Sequence, residues 1–312
     1  MRFIFMGTPL FAVPTLERLV TAGRSCLAVW TQPDRPKGRG QQVVFSPIKE
    51  AALRLGLDVK QPDRVRRPEQ VEMISELGPD VIVVVGYGQI IPQSIIDIPK
   101  LGIVNVHASL LPKYRGAAPI QWAIANGEKV TGVTTMLINA GLDTGDMLMK
   151  AETPIGPDET AEDLSGRLAV IGADLALETL EGLAAGKIVS EAQNHSDATW
   201  APVLKREDGL IRWDLDALNI YNRARGFQPW PGAYTTFRRQ RLHIWHSKPH
   251  DRSLGPSGAI HLEGRKLMVA CGGDTSLEIH ELQLEGRKRV SAEAFVNGHR
   301  LEPDEMLGEK IN

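Results

Sequence analysis

Short apolar runs alternate with amphipathic stretches through the first 188 residues. The run Val81–Val85 is apolar throughout, which is typical of a strand that helices cover on both faces. Further strands are predicted at residues 3–6, 27–30, 103–106, 131–137 and 147–152. Helices are predicted at residues 11–22, 47–55, 68–77 and 118–125. This alternation indicates an α/β fold with a doubly wound, mostly parallel sheet, whose ligands bind at the carboxyl ends of the strands.

The pattern changes beyond this region. A long helix is predicted within residues 158–185, and residues 188–201 lack clear periodicity, as a linker does. From residue 205 onward, short alternating segments are separated by Gly and Pro, which indicates a small, mostly β domain. Its predicted elements are a helix at 215–224 and strands at 233–237, 242–245, 258–261, 267–270 and 277–284. We therefore predict a first domain over residues 1–188, a linker over 189–204 and a second domain over 205–312.

Composition is typical of a soluble protein. The 312 residues suit about two domains, and 42% hydrophobic with 24% charged residues are ordinary values for a globular chain. No apolar stretch approaches the length of a membrane span. The apolar residues after Met1 run straight into Gly7, without the layout of a cleavable signal. Cys26 and Cys271 lie far apart, outside any metal-ligand spacing, so we expect a cytoplasmic protein that needs no metal.

Charge is distributed unevenly, although the formal net charge is only −2. Residues 205–300 hold 16 Lys and Arg against 11 Asp and Glu, a net charge of +5. The rest of the chain therefore carries −7, the difference between −2 and +5. A basic segment on an acidic chain favours an anionic partner, although solvated surface charge explains such an excess equally well.

The spacing of Asn105 and His107 carries the strongest chemical signal. Side chains two residues apart in extended backbone project from the same face, so both can reach one reacting centre. Two downstream carboxylates, Asp143 and Asp146, lie in a glycine-rich turn. A carboxamide that donates to an oxyanion, an imidazole that moves protons and a carboxylate that orients the imidazole suit acyl-type transfer to an amine. An isolated Asn-x-His is more often the end of a buried strand, so the flanking residues decide between the two interpretations.

Those flanking residues resemble the folate-dependent formyltransferases. Residues 105–112 follow the pattern Asn-x-His-x-Ser-Leu-Leu-Pro, and the chain continues as Lys-Tyr-Arg-Gly-Ala-Ala-Pro-Ile. The Gly-Thr-Pro turn at residues 7–9, the loop at 31–40 and the Gln-Pro-Trp-Pro-Gly motif at 228–232 resemble the same family. The longer match is similar to the family members that act on transfer RNA. Together these segments run from the first strand to the last third of the chain.

The resemblance implies a fold, a reaction and catalytic residues. The fold is a Rossmann-like formyltransferase domain followed by an OB-like β-barrel that binds tRNA. The reaction moves the formyl group of 10-formyltetrahydrofolate to the α-amino group of initiator methionyl-tRNA, for translation initiation. Asn105, His107 and Asp143 occupy the catalytic positions, and the family's Leu-Asp-x-Gly pattern favours Asp143 over Asp146.

The resemblance also implies two sets of binding residues. The expected folate contacts are Ser109, Leu110, Leu111 and Pro112, together with the backbone of Gln89, Ile90 and Ile91. The loop over residues 33–42 is expected to approach the acceptor end of the tRNA through Arg35, Lys37 and Arg39. No dinucleotide-binding fingerprint follows the first strand, which disfavours nicotinamide or flavin binding.

Three other functions stay open at this point. A related enzyme that formylates a small amine would keep the three catalytic residues, but it would need neither the basic loop nor the second domain. A hydrolase that releases formate would need an open position for water. A non-catalytic RNA-binding module would leave Asn105, His107 and Asp143 unexplained. The sequence indicates neither an obligate protein partner nor a membrane contact.

Overall fold

The computed structural model describes residues 1–37, 42–302 and 304–308, which fall into two units. The first unit comprises Met1–Pro119, Val130–Pro154 and Ser165–Pro202, and the second comprises Ile120–Lys129, Ile155–Leu164 and Val203–Asn312. Two short segments that precede residue 188 thus group with the second unit. The domain boundaries at residues 188 and 204 stay a prediction.

The secondary structure alternates between strands and helices in the first unit and is mostly strand in the second. In chain order the strands are β1 (Arg2–Gly7), β2 (Ser25–Trp30), β3 (Arg35–Lys37), β4 (Gln42–Val44), β5 (Val59–Lys60), β6 (Val81–Val85), β7 (Ile103–His107), β8 (Arg115–Gly116), β9 (Val130–Leu137), β10 (Met147–Pro154), β11 (Trp200–Ala201), β12 (Ala233–Phe237), β13 (Gln240–His250), β14 (Ile260–Glu263), β15 (Lys266–Cys271), β16 (Thr275–Leu284) and β17 (Val290–Ser291). The helices are α1 (Val13–Thr21), α2 (Pro47–Arg54), α3 (Pro68–Leu77), α4 (Gln93–Ile96), α5 (Pro119–Ala125), α6 (Ala161–Ala184), α7 (Ala217–Gly226) and α8 (Ala292–Gly298). Within the described residues, no helix has the length and apolar character that crossing a membrane requires.

Among the described residues, a seven-stranded sheet forms the centre of the first unit. Its strand order is β10-β9-β7-β6-β1-β2-β5. The strands from β7 to β5 run parallel to one another. At the other edge, β9 pairs with β7 and β10 pairs with β9 in antiparallel fashion. The predicted α/β fold with a mostly parallel sheet is confirmed. The antiparallel edge was not predicted, because apolar periodicity carries no information on strand direction.

Local sequence signals account for several of these elements. β6 is the uninterrupted apolar run, and all of its side chains are buried in the core. Helix α2 begins where predicted, because Pro47 occupies its first turn and the Ser46 hydroxyl accepts a hydrogen bond from the Lys49 amide at 3.1 Å. β6 and β7 are adjacent and parallel, so the segments that follow them meet at one edge of the sheet.

The second unit contains an antiparallel sheet with the order β12-β13-β16-β15-β14, and β17 pairs with β16. Side chains from the sheet and from helices α7 and α8 form one apolar core, which includes Ile220, Ile244, Val269, Ile279 and Phe295. The predicted small β domain is confirmed, and its antiparallel pairing agrees with the OB-like domain implied by the resemblance. Several predicted boundaries in this unit are shifted by about two residues, and the end of one strand differs most. β13 continues five residues beyond the predicted end at Trp245, because it pairs with β16 along that length.

Candidate active site

Asn105 and His107 lie at the carboxyl end of β7. β7 pairs with β6 on one side and with β9 on the other, so both neighbours hold this end of the strand in register. The Asn105 side chain is half-buried, and no group in the described part of the chain hydrogen bonds to its carboxamide. Its two amide hydrogens are therefore free to donate to a bound oxyanion.

The His107 imidazole is only 6% exposed and has a polar neighbour on each ring nitrogen. Its Nε2 donates a hydrogen bond to the carbonyl oxygen of Tyr114 at 2.9 Å. Because a carbonyl oxygen only accepts, the proton of the neutral ring lies on Nε2. Nδ1 lies 3.8 Å from Oδ2 of Asp143, too far for a hydrogen bond but close enough for attraction once the ring is protonated. Nδ1 is thus the nitrogen that can accept a proton.

Asp143 lies on the turn between β9 and β10, with a positive φ of 50°. Its Oδ2 accepts a hydrogen bond from the backbone amide of Gly116 at 2.9 Å, which holds the carboxylate on the side of His107. The alternative carboxylate, Asp146, accepts instead from the Ser190 hydroxyl at 3.2 Å. Of the two carboxylates, Asp143 is the one that faces the imidazole.

The loop over residues 109–112 is held from inside. Ser109 is fully buried, and its hydroxyl donates to the carbonyl oxygen of Lys113 at 2.6 Å. The Thr134 hydroxyl on β9 donates to the Ser109 carbonyl at 2.7 Å and accepts from the Leu111 amide at 3.1 Å. Leu111 is also buried, whereas Leu110 and Pro112 are half-buried. The buried members shape this loop, and its expected role in folate contact stays a prediction.

Residues 89–91 follow β6 and offer backbone groups to a ligand. The Gln89 side chain is engaged, since Oε1 accepts from the Val65 amide at 2.7 Å and Nε2 donates to the Pro62 carbonyl at 3.0 Å. In the described part of the chain, the backbone N–H and C=O groups of residues 89–91 have no protein partner. The Ile90 side chain is 87% exposed, and that of Ile91 is half-buried. A planar ligand with donors and acceptors along one edge could pair with such free backbone groups.

Two turns meet closely beside this segment. Gly86 has φ 58°, and a Cβ at this position would lie 2.9 Å from Cγ of Pro9. Glycine therefore permits an approach that any side chain would block. The Thr8 hydroxyl and the Gln32 carboxamide both donate to the Tyr87 carbonyl, at 3.0 and 3.2 Å. These contacts join the Gly-Thr-Pro turn to the segment that follows β6.

The basic loop is described only in part. Arg35 is exposed at the start of β3, whereas the side chain of Lys37 and the whole of Arg39 lie outside the described residues. At the base of the loop, Asp34 forms an ion pair with Lys49 and accepts a hydrogen bond from Nε2 of Gln61 at 2.8 Å. These two partners lower the pKa of the Asp34 carboxyl below its ordinary value. The base of the loop is therefore anchored, and the RNA contacts expected of its basic residues stay a prediction.

Three groups that the sequence did not indicate hold the His107–Asp143 pair in place. Two are backbone groups, the Tyr114 carbonyl and the Gly116 amide. The third is the buried side chain of Gln193, whose Nε2 donates to the carbonyl oxygens of Asp143 and Gly145 at 2.9 and 2.7 Å. Gln193 lies in a stretch without periodicity, and no local pattern distinguishes it from a surface glutamine. Across the described residues, no three His, Cys, Asp or Glu side chains form a group that could hold a metal ion.

Comparisons with known proteins identify the family. The model described as "Formyl transferase" matches residues 1–180, and the model described as "Formyl transferase, C-terminal domain" matches residues 203–300. A methionyl-tRNA formyltransferase of Solibacter usitatus (strain Ellin6076) is 60% identical over 309 residues, and one of Koribacter versatilis (strain Ellin345) is 55% identical over 309 residues. In both cases the match covers 99% of this chain and 99% of the relative.

A solved structure adds support for the fold. It is an N-formyltransferase from Helicobacter canadensis in complex with folinic acid and dTDP-3-aminofucose, with a TM-score of 0.68 and 18% sequence identity. The match covers 89% of this chain and 98% of that protein. At this identity the likeness bears on the fold alone, whereas the matched family models and the closely similar relatives bear on the family. The chain therefore belongs to the formyl transferase family and groups within it with the methionyl-tRNA formyltransferases.

Proposed function

We propose that this protein transfers the formyl group of 10-formyltetrahydrofolate to the α-amino group of methionyl-initiator tRNA. The observation that carries the proposal is the free Asn105 carboxamide two residues from the buried imidazole of His107, which Asp143 faces at 3.8 Å. Formyl transfer between two nitrogen atoms requires a group that donates a hydrogen bond to the oxyanion and, beside it, a group that carries a proton.

Each of the three side chains has a distinct part in the chemistry. When the acceptor amine attacks the formyl carbon, a C–N bond forms and the carbonyl oxygen becomes an oxyanion, to which Asn105 donates. Nδ1 of His107 takes the proton that the attacking nitrogen must lose and returns it to the departing folate nitrogen as the old C–N bond breaks. Asp143 stabilises the positive charge that the imidazole carries between these two transfers. The products are tetrahydrofolate and the formylated amine.

A folate as the formyl donor is supported by the free backbone groups of residues 89–91 and by the loop over residues 109–112. Folate-derived donors carry a flat, polar ring, which suits a segment of unpaired backbone N–H and C=O groups. Leu110 and Pro112 are half-buried and leave apolar surface open to a ligand. We expect folate to bind without tRNA and without a metal ion.

Methionyl-tRNA as the formyl acceptor is supported by the basic loop over residues 33–42, by the basic second unit and by the names of the relatives. A small amine needs neither the loop nor a second unit with an excess of Lys and Arg. The relatives above 50% identity carry the name methionyl-tRNA formyltransferase, whereas the sugar-bound relative is only 18% identical. An aminoacylated tRNA as acceptor also agrees with a cytoplasmic protein.

The experiment that tests the function compares acceptors. The purified chain is mixed with 10-formyltetrahydrofolate and with methionyl-initiator tRNA, free methionine or a dTDP-amino sugar, with and without EDTA. We expect formylated tRNA as the main product from the single purified chain, at the same rate after chelation. Faster formylation of a free amine or sugar, or release of formate alone, would overturn the proposed acceptor, and activity that only added zinc restores would contradict the expected independence from metal.

Arg39→Ala is expected to change how tRNA is selected. If the loop positions the acceptor end, kcat with initiator methionyl-tRNA should fall about 10- to 100-fold, because small errors in position cost much of the rate. The preference for initiator over elongator methionyl-tRNA should fall as well, while folate binding stays unchanged. Arg66→Ala, an exposed arginine of the same unit, is the control. An intact initiator preference in Arg39→Ala would mean that the loop is only a solvated basic surface.

The turn between β16 and β17 is expected to contribute phosphate contacts. Arg287 and Lys288 are both exposed there. Substitution of both by alanine in the full chain should weaken binding across tRNAs and reduce the slope of log affinity against log salt by about one per lost contact. The full chain is preferable to truncation, because residues 120–129 and 155–164 group with the unit that truncation would remove. An unchanged salt slope, equal to that of an Arg64→Ala/Arg66→Ala control, would exclude this turn from the RNA-binding surface.

A further inference from the structure

The return segment, residues 191–201, contacts the chain on both sides of the candidate site. At its start, the backbone of Glu191 pairs with Met147 on β10 through hydrogen bonds of 2.8 and 2.9 Å. At its end, β11 runs parallel to β8, and Thr199 accepts hydrogen bonds from the backbone amides of Tyr114 and Arg115. The segment therefore links the strand that follows Asp143 to the loop that follows His107.

Gln193 belongs to this segment, and its side chain uses its full hydrogen-bonding capacity on residues outside the segment. Its Nε2 donates to the carbonyl oxygens of Asp143 and Gly145, and its Oε1 accepts from Nε and Nη2 of Arg115 at 3.0 and 2.7 Å. A carboxamide has two hydrogens and two lone pairs to offer, and all four are used. The side chain is only 6% exposed. A flipped amide would point oxygen at two carbonyl oxygens and nitrogen at a guanidinium, so the orientation is determined.

Arg115 makes this contact costly to lose. The guanidinium is 3% exposed and reaches only Gln193 and Nδ1 of His195, at 3.2 Å, since no carboxylate of the described chain pairs with it. A buried charge with few acceptors depends strongly on each of them. Close packing adds to the constraint, because Gly116 has φ 117° and a Cβ there would lie 2.6 Å from the Ala201 carbonyl oxygen. The loop that contains Arg115 and the turn that contains Asp143 are thus both fixed to the return segment.

We propose that Gln193 is a positioning residue that holds Asp143 against His107. The inference rests on the proposed function of the His107–Asp143 pair. Asp143 is fixed at two points, its carboxylate by the Gly116 amide and its backbone carbonyl by Gln193. The hydrogen bond from Gln193 fixes the backbone of the turn, and this fixes the 3.8 Å distance between Oδ2 of Asp143 and Nδ1 of His107. The Gln193 side chain is buried and spends all of its hydrogen bonds on the chain itself, so we infer that it acts on the rate through the position of Asp143.

Two substitutions separate positioning from folding. Gln193→Ala removes all four hydrogen bonds and leaves the Arg115 charge without its main acceptor, so its stability must be measured. Gln193→Glu keeps an acceptor for Arg115 but replaces the two donated hydrogens with an oxygen that faces the Asp143 and Gly145 carbonyls. We expect Gln193→Glu to fold and to lose about 10- to 100-fold in kcat, with KM for both substrates changed less than about threefold. Glu191→Ala, exposed on the same segment, is the matched control.

A double-mutant cycle with Asp143→Ala completes the test. If Gln193 acts through Asp143, adding Gln193→Glu to Asp143→Ala should lower kcat less than about threefold further. A kcat for Gln193→Glu within threefold of the wild type, or a double variant slowed by the product of the single effects, would overturn the proposal. The wild-type chain in the same assay keeps the two hypotheses apart. If it does not formylate methionyl-tRNA, the proposed function fails whatever Gln193 does.

Discussion

His107→Ala should lower kcat for formyl transfer by about 10²- to 10⁴-fold, the range typical of a lost general acid–base group. Nδ1 of this imidazole is the proton acceptor of the site, because Nε2 donates to the Tyr114 carbonyl. The variant should fold, since the ring contributes one hydrogen bond to a backbone carbonyl and leaves no charge unpaired. The measurement is the single-turnover rate with saturating 10-formyltetrahydrofolate and methionyl-initiator tRNA, accompanied by the folate dissociation constant.

The control for His107→Ala is His246→Ala, an exposed imidazole on β13 in the second unit. This variant should keep the wild-type rate. Near-normal turnover in His107→Ala would contradict the mechanism, because no other histidine in the described chain faces Asp143. A rate loss accompanied by an equal loss of folate affinity would instead point to a damaged binding site.

Asn105→Ala should lower kcat by about 10²- to 10³-fold, which is the usual loss when one oxyanion donor is removed. The carboxamide has no hydrogen bond to the described chain, so its removal should leave the free energy of unfolding almost unchanged. Folate affinity should also persist, since the oxyanion exists only during the reaction. The measurement is kcat and KM for both substrates, with Asn297→Ala on the exposed face of α8 as the control. A raised KM at unchanged kcat would show that Asn105 binds the ground state instead.

Much of the fold follows from local signals, and the exceptions have physical causes. The bounds predicted for β6, α3 and β12 agree with the structure. An unbroken apolar run, a proline at a helix start and a short run of Tyr, Thr and Phe are all local features. The two-residue strands β5, β8, β11 and β17 were missed. A pairing of two residues is determined by the partner strand, and the segment itself carries no pattern that predicts it.

In the candidate site, too, some features follow from local sequence and others depend on distant segments. The spacing of Asn105 and His107 on an extended segment was readable from the sequence, and the structure brings Asp143 to the same imidazole. The contacts that orient this pair come from the Tyr114 carbonyl, the Gly116 amide and Gln193. Every residue except proline carries the same backbone groups, and a buried glutamine has no signature of its own. Such contacts become visible only when segments distant in sequence are brought together.

Asp143 and Asp146 form a matched pair of carboxylates that can be substituted one at a time. Both carboxylates lie on the same turn, but only Asp143 faces His107, whereas Asp146 accepts from Ser190. Asp143→Ala should therefore lower kcat by about 10- to 100-fold through loss of charge stabilisation and orientation. Asp146→Ala should stay within about threefold of the wild type. Equal losses in the two variants would undo the assignment of Asp143.

That His107 and Asp143 act as one unit is tested most directly by the single-turnover rate of the double variant His107→Ala/Asp143→Ala. Since Asp143 contributes through the charge and orientation of the imidazole, it has nothing to act on once the imidazole is gone. We predict that the double variant transfers formyl groups to methionyl-initiator tRNA within about threefold of the rate of His107→Ala. A rate lower by the full product of the two single effects would show that the residues act independently, and it would contradict the account.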